Sequence, residues 1–340
     1  MKSRALTLLK CALGAAILVW LAATGRLQFS ALLAARRHYW VLALIAVLCL
    51  VQMSLAAVRW RVLLRLEGVE AKWRTVYAFT MMGAFFNTVM PGSVGGDVMK
   101  AVAASRQWGT PMGIVVTSIV IDRVIGLWAL LAMGALATLA NLGKLNSQPA
   151  LAGVWIALWL GAAGAGLVFL PFGRRVIGLR WVQSVLARAP QWARQLIGSA
   201  CSYQGHPRVV ARCLWISLLC HLCAFAAFYA SFLAISSPPP TLAGFAFLAP
   251  LGFLAMAVPL APSGIGVGQA ALYFLFQTYL NQGLRASNSF TVYQAVLLAV
   301  YLAGGLVYLA MRNHAQPVVA GRSSQTHPAP ILDDPPSPRC

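Results

Sequence analysis

Charge is what this chain has least of. Charged side chains fill 9% of its 340 positions, and only six residues are acidic. A soluble domain carries about 25% charged residues, so this chain cannot dress a water-facing surface, and no stretch of it reads as a separate soluble domain. The seven cysteines form no paired framework. Cys11, Cys49, Cys213, Cys220 and Cys223 lie in apolar runs, where cysteine acts as a small hydrophobe. Cys220-His221-Leu222-Cys223 imitates metal-ligand spacing, but zinc needs a second ligand pair, so core packing is expected there. Cys340 does not complete a prenylation box. There is no Walker loop, no dinucleotide fingerprint in a βαβ unit, no HExxH, and no Ser/His/Asp or Cys/His set. No catalytic residue, cofactor or metal is therefore expected, and the chain is not expected to be an enzyme.

What the sequence does have is length without charge. Hydrophobic residues make up 60% of it and the mean hydropathy is +0.76. Several nearly uncharged runs reach about 20 residues, the length of helix that crosses roughly 30 Å of hydrocarbon. A membrane β-barrel would show alternation over about ten residues instead of solid apolar runs. The runs cover 11–25, 39–58, 75–90, 111–140, 150–172, 213–235, 241–258, 269–281 and 290–311. The first follows Lys2, Arg4 and Lys10 and is read as a retained span, with a cleaved signal peptide as the alternative. Residues 1–312 are expected to form one bundle. Within it, 174–212 mixes arginines with Trp181, Val185, Trp192 and Leu196, as an interfacial amphipathic helix does. Residues 313–340 are expected to form a disordered tail.

The net charge of +20 comes from 26 Lys and Arg. Nucleic acid is excluded as a partner, because these residues fall in short gaps between apolar runs and form no basic stripe on a soluble module. With the N-terminus in the cytoplasm, Arg59, Arg61, Arg65, Lys72, Arg74, Lys100, Arg106 and the 174–212 arginines all fall inside. Arg26, Arg36, Arg37, Lys144 and Arg285 fall outside, and Arg123 alone lies within a span. That bias orients the chain with both termini cytoplasmic.

The count holds only if two segments enter and leave on one face. Met90-Pro91-Gly92-Ser93-Val94-Gly95-Gly96-Asp97 interrupts 75–106. Pro259-Leu260-Ala261-Pro262-Ser263-Gly264-Ile265-Gly266-Val267-Gly268 interrupts 241–281. Proline removes a helix donor and glycine loosens the helix, so both segments should break near mid-depth. Irregular backbone survives there only under protein or beside a water-filled cavity. Two such breaks inserted from opposite faces point to an inverted-repeat transporter site; the alternative is a pair of kinked spans. The expected fold class is thus an all-α polytopic membrane protein with about six full spans plus two broken re-entrant helical hairpins in an inverted repeat.

Glu67, Glu70, Asp333 and Asp334 lie outside the spans, leaving Asp97 and Asp122 as the carboxylates of the membrane segments. Asp122 stands about 15 Å into its span counted from Met112. A charge at that depth costs at least ~2.5–3.5 kcal/mol and should be paired inside the bundle. Neighbouring positions on a helix point about 100° apart, so Asp122 and Arg123 need not satisfy each other. Arg123 is expected to pair with Asp97, either as a structural tie or as part of a substrate contact. The glycine-rich breaks offer backbone N–H groups to an anion, with Ser93, Ser263 and Asn87 adding side-chain groups; the alternative is that the glycines serve close helix packing.

Three pieces carry a resemblance: Asn87-Thr88-Val89-Met90-Pro91-Gly92-Ser93-Val94-Gly95-Gly96-Asp97-Val98-Met99-Lys100, then Asp122-Arg123 with Gly126, then Pro259 through Gln269. In order and separation they resemble the lysylphosphatidylglycerol-synthase-type transmembrane family, also called flippase-like or UPF0104 proteins, over residues 10–312. The resemblance implies a bundle in a bacterial cytoplasmic membrane that moves or handles lipids, among them aminoacylated phosphatidylglycerol, hopanoids and polyprenyl-linked substrates. The chain has no room for the soluble aminoacyl-transferase domain of full-length synthases, so lysine transfer is not expected. The family often has Glu where Gln269 stands and Arg where Lys100 stands, and Lys lacks the bidentate fork. The implied substrate-binding set is Asn87, Pro91, Gly92, Ser93, Gly95, Gly96, Asp97, Lys100, Asp122, Arg123, Pro262, Ser263, Gly264, Gly266, Gly268 and Gln269. Membrane lipids are the expected partners. A lipid-biosynthetic enzyme docking through 174–212 is the alternative role, and a membrane-embedded transferase using Asp97 or Asp122 as base is a third.

Overall fold

A computed structural model describes residues 16, 18–25, 30–89, 95–139, 141, 149–169, 203–257 and 264–314. The basic 174–212 segment is described only from residue 203, and the tail only to residue 314. Helices follow one another along the described residues, with no strand among them. Four are long and apolar enough to cross a membrane: Leu33–Leu66, Met112–Leu139, Pro207–Ala234 and Gly283–Val307. We label the elements α1 (Ser30–Ala35), α2 (Tyr39–Leu66), α3 (Trp73–Val89), α4 (Gly95–Trp108), α5 (Met112–Leu139), α6 (Pro149–Phe169), α7 (Pro207–Ala234), α8 (Leu242–Ala257), α9 (Val267–Leu280) and α10 (Gly283–His314). The chain is a polytopic helical membrane protein.

Side-chain contacts fix which helix ends lie together. Along α2 and α7, Tyr203 meets Glu67, Arg59 meets Ser217, and the Cys220 thiol lies 3.8 Å from the Gln52 carbonyl. These pairs run in opposite sequence directions, so α2 and α7 are antiparallel. Likewise Trp60 Nε1 donates to Ser118 Oγ at 3.1 Å while Arg59 meets Asp122, so α5 runs antiparallel to α2. One end of the bundle thus gathers the end of α2, the start of α5 and the start of α7. Arg61, Arg65, Lys72, Arg74, Arg106, Arg208 and Arg212 cluster around it. The opposite end carries Arg36, Arg37 and Arg285.

Both interrupted segments fold back on themselves. The helices flanking the first break have 17 and 14 residues, and those flanking the second have 16 and 14. At 1.5 Å per residue, helices of about 21–25 Å fall short of a ~30 Å hydrocarbon layer. In the first hairpin Phe79 packs its ring 5.5 Å from Trp108, while Gly83 faces Gly96 and Lys100. In the second, Gly244 lies against Leu280, Gly252 against Leu272, and Met256 against Gly268. Each register is that of an antiparallel return. The first hairpin leaves and rejoins the bundle at the basic end, and the second at the opposite end, so the two insert oppositely.

Without a hydrophobic driving force between helices in lipid, packing must hold the pieces together. Phe228 of α7 is the centre of one cluster, with ring centroids 5.2 Å from Phe245, 5.3 Å from Phe290 and 5.7 Å from Phe232. That cluster fastens the second hairpin to α7 and α10. The first hairpin is held by Trp60, whose ring lies 5.9 Å from Trp108. Cys49, Cys213 and Cys220 are buried in the packing.

Candidate functional site

The tips of the two hairpins face a cavity of about 270 Å³. Its walls come from α2, both hairpins, α5 and α10, and its charged lining is Arg59, Asp97, Lys100, Asp122 and Arg123.

Asp122 is gripped by Arg59, whose Nε donates to Oδ1 at 2.7 Å and whose Nη2 donates to Oδ2 at 2.8 Å. The remaining arm, Nη1, donates to Ser217 Oγ at 2.7 Å, so one guanidinium ties α2 to α5 and α7. Such a planar fork against a carboxylate is the strong geometry for this ion pair. Both side chains are about nine-tenths buried, 9% and 10% exposed. Gly126, one turn beyond Asp122, makes room: a β-carbon there would stand 3.2 Å from Arg59 Nη1. Its carbonyl lies 2.9 Å from His221 Nε2.

The second pair has the expected partners. Arg123 donates through Nη2 to Asp97 Oδ1 at 2.8 Å and through Nε to Oδ2 at 3.2 Å. It joins α5 to the first turn of α4, where a carboxylate also favours the helix N-terminus. Its side chain is far more open than the first pair, with Arg123 60% and Asp97 16% exposed.

Lys100, only 6% exposed, enters no ion pair among the described residues. Its ammonium sits 3.5 Å from the centre of the Trp60 ring. Arg59 and Lys100 correct the sequence reading, which counted both among cytoplasmic charges: both are buried in the bundle. Arg59 stands in the same run as Arg61 and Arg65 and looks like a topology signal. Its helix, however, stays apolar through Trp60, Leu63 and Leu64, all fully buried. An unmatched Asp122 deep in a span was the signal that a partner had to be found.

The residues around the breaks divide. Pro91, Gly92, Ser93, Pro262 and Ser263 lie outside the described residues. Gly95 opens α4, and the backbone N–H of Gly96 donates to Asn87 Oδ1 at 2.9 Å, so Asn87 caps the returning helix. A β-carbon on Gly96 would overlap the Gly83 carbonyl oxygen and come 2.6 Å from the Asn87 nitrogen. Gly264 and Gly266 hold φ of +67° and +83°, a region that side chains resist. A β-carbon on Gly268 would stand 2.5 Å from Phe290. Gln269 is buried and turned inward: its Oε1 accepts from the Gly266 N–H at 2.8 Å and its Nε2 donates to Gln294 Oε1 at 2.6 Å. Asn87, Asp97, Lys100, Asp122 and Arg123 are brought together at the cavity, whereas Gly264, Gly266, Gly268 and Gln269 shape the tip of the second hairpin.

At the basic end, the Tyr203 hydroxyl donates to Glu67, and burial together with that carboxylate holds it well above its ordinary range. It therefore stays a donor and pins the start of α7 to the end of α2.

Fold and site together define a class: an integral helical bundle in which two oppositely inserted re-entrant hairpins meet at a charged cavity. The chain belongs to the family described as the lysylphosphatidylglycerol synthase TM region, whose model matches residues 7–316. It is also similar to a UPF0104 membrane protein of Methanocaldococcus jannaschii, with 29% identity over 77 residues, covering 22% of this chain and 23% of that relative's length. No solved structure matches.

Proposed function

We propose that the chain is a lipid translocase or lipid-handling transporter of a bacterial cytoplasmic membrane, acting by transport and not by catalysis. The observation that carries this reading is the charged cavity between the tips of two oppositely inserted hairpins. A hairpin open to each face lets one central site be reached from either side, the arrangement of alternating-access transporters. Charge inside hydrocarbon is costly and marks function by default; five ionisable side chains around one cavity fit a path for a polar headgroup while acyl chains stay in lipid. The basic end is the cytoplasmic one by the positive-inside bias. Membership in a lipid-linked membrane family supports the same reading.

The test is reconstitution of the full chain into liposomes carrying fluorescent headgroup-labelled lipids, with an impermeant quencher added outside. Expected is transbilayer exchange well above that of empty liposomes, lost in Lys100→Glu. Exchange at the empty-liposome rate for phosphatidylglycerol, aminoacylated phosphatidylglycerol and polyprenyl phosphate alike would sink the proposal.

A further inference from the structure

Among the described residues, three buried polar atoms without a hydrogen-bond partner gather at the start of α10: Gln282 Oε1, Ser287 Oγ and Ser289 Oγ. Buried hydroxyls elsewhere in the bundle satisfy themselves. Ser118, Ser217 and Ser231, all fully buried, turn back to the carbonyls of Val115, Cys213 and Phe228 in their own helices. Ser287 and Ser289 are buried just as completely and make no such bond. A hydroxyl in that position carries its desolvation cost unrelieved. The two point about 200° apart around the helix, so no one neighbour could serve both.

The helix they belong to has two halves. From Arg285 to Gln294 polar side chains are interleaved with Phe290, Val292 and Tyr293; from Ala295 to Ala310 the only polar atoms are those of Tyr301 and Tyr308. The apolar half is seated on the first hairpin, with Gly304 against the Met81 carbonyl and Gly305 against the Phe85 ring. In the polar half Ser287, Thr291 and Gln294 fall at i, i+4 and i+7 and share one face. That face starts near the end of the bundle opposite the basic one and runs about 10 Å from Ser287 to Gln294, which lines the cavity. There the Gln294 amide is tied to Gln269 of the second hairpin.

Resting on the transporter reading, we infer that the outer half of α10, Gln282 to Gln294, is the outward gate of the cavity. It is packed shut in this structure, and water reaches Ser287 and Ser289 when it opens. Burial on both flanks leaves the two hydroxyls unpaired in the closed state, and opening relieves them, which lowers the cost of the open one. The apolar half stays on the first hairpin and acts as the fixed end.

Full chains carrying Ser287→Cys, Ser289→Cys or Ser231→Cys test this in intact cells treated with a sulfonated maleimide, which dissolves in water and not in lipid. Ser231 is the control: it stands three residues from the outer end of α7, as Ser287 stands four from that of α10, and its hydroxyl is bonded. The thioether is permanent, so label accumulates even from a gate that opens briefly. Mass spectrometry of the peptide bearing each new thiol keeps the native cysteines out of the reading. Expected is labelling at 287 and 289 about tenfold or more faster than at 231, because a thiol sealed in apolar surroundings stays protonated and inert. Rates at 287 and 289 no higher than at 231, or label that appears only after the cells are broken open, would overturn the gate. Thermal unfolding gives a second reading. The double variant Ser287→Ala with Ser289→Ala should keep its Tm, since unpaired hydroxyls are removed, whereas Ser231→Ala should lower it; a fall in the double variant would mean that both hydroxyls hold the fold, and the inference fails. Labelling needs no lipid movement. Fast labelling with exchange at the empty-liposome rate refutes the translocase and retains a water-lined outer half of α10; exchange with both thiols as inert as the control does the reverse.

Discussion

The first hairpin, Trp73–Trp108, and the second, Leu242–Leu280, are built to one plan: two helices too short to span, closed by a glycine- and proline-rich break. Their chemistry differs. Among the described residues, the first sets Asn87, Asp97 and Lys100 around the cavity, while the second contributes Met256 and Ile265 to the lining. At the second tip the described Gln269 is engaged by the Gly266 N–H and by Gln294 of α10. Shape is duplicated across the molecule, and charge is not. On the proposed transporter reading, an inverted pair of hairpins would give access from both faces while the charge stays on one wall.

This contrast can be broken by mutation, and the largest effect is expected where the charged wall is deepest. Arg59→Leu leaves Asp122 buried without its partner and should cost about 3–5 kcal/mol, read as a steep fall in Tm of the purified protein. Removing both charges in Arg59→Met with Asp122→Leu should recover most of that loss; a double variant as unstable as the single one would show that the pair is not the cause. Next is the glycine at the first tip. Gly96→Ala drives a methyl into the Gly83 carbonyl and should cost about 3 kcal/mol, the upper end for overpacking. Gly268→Ala meets side chains rather than backbone, the ring of Phe290 and the sulfur of Met256, which can shift, and should cost less; the reverse order would mean that the second tip is the tighter one. The smallest stability effect is expected at the open pair. Arg123→Ala should cost less than Arg59→Leu because its guanidinium is the more open of the two, yet it should slow transbilayer exchange. Unchanged exchange would confine Arg123 to a structural tie.

The architecture was readable because proline and glycine are conspicuous in apolar runs. Pro91 next to Gly92, and Pro262 two residues before Gly264, marked the breaks, and the distribution of basic residues pointed to re-entrant segments. The Asp97–Arg123 pair followed from scarcity, since a chain with so few carboxylates leaves little choice of partner. Arg59 was hidden by its company: a lone arginine in an apolar run is noticed, but one followed by Arg61 and Arg65 reads as part of a cytoplasmic cluster. Only helix phase separates it, placing Arg59 with buried Trp60 and Leu63 while Arg61 turns aside to donate to the Ala71 carbonyl at 2.8 Å. The glycines of the second tip were legible as a break but not as to purpose. Positive φ and close ring contacts are properties of a folded backbone, and the same letters spell an anion cradle or a tight corner.

The bond from Arg59 also constrains how the protein is made. Its carboxylate partner is synthesised 63 residues later and its hydroxyl partner 158 residues later. A guanidinium released sideways into lipid from a lone helix faces a penalty of a few kcal/mol. Arg59 therefore lacks this carboxylate until the fifth helix has been made.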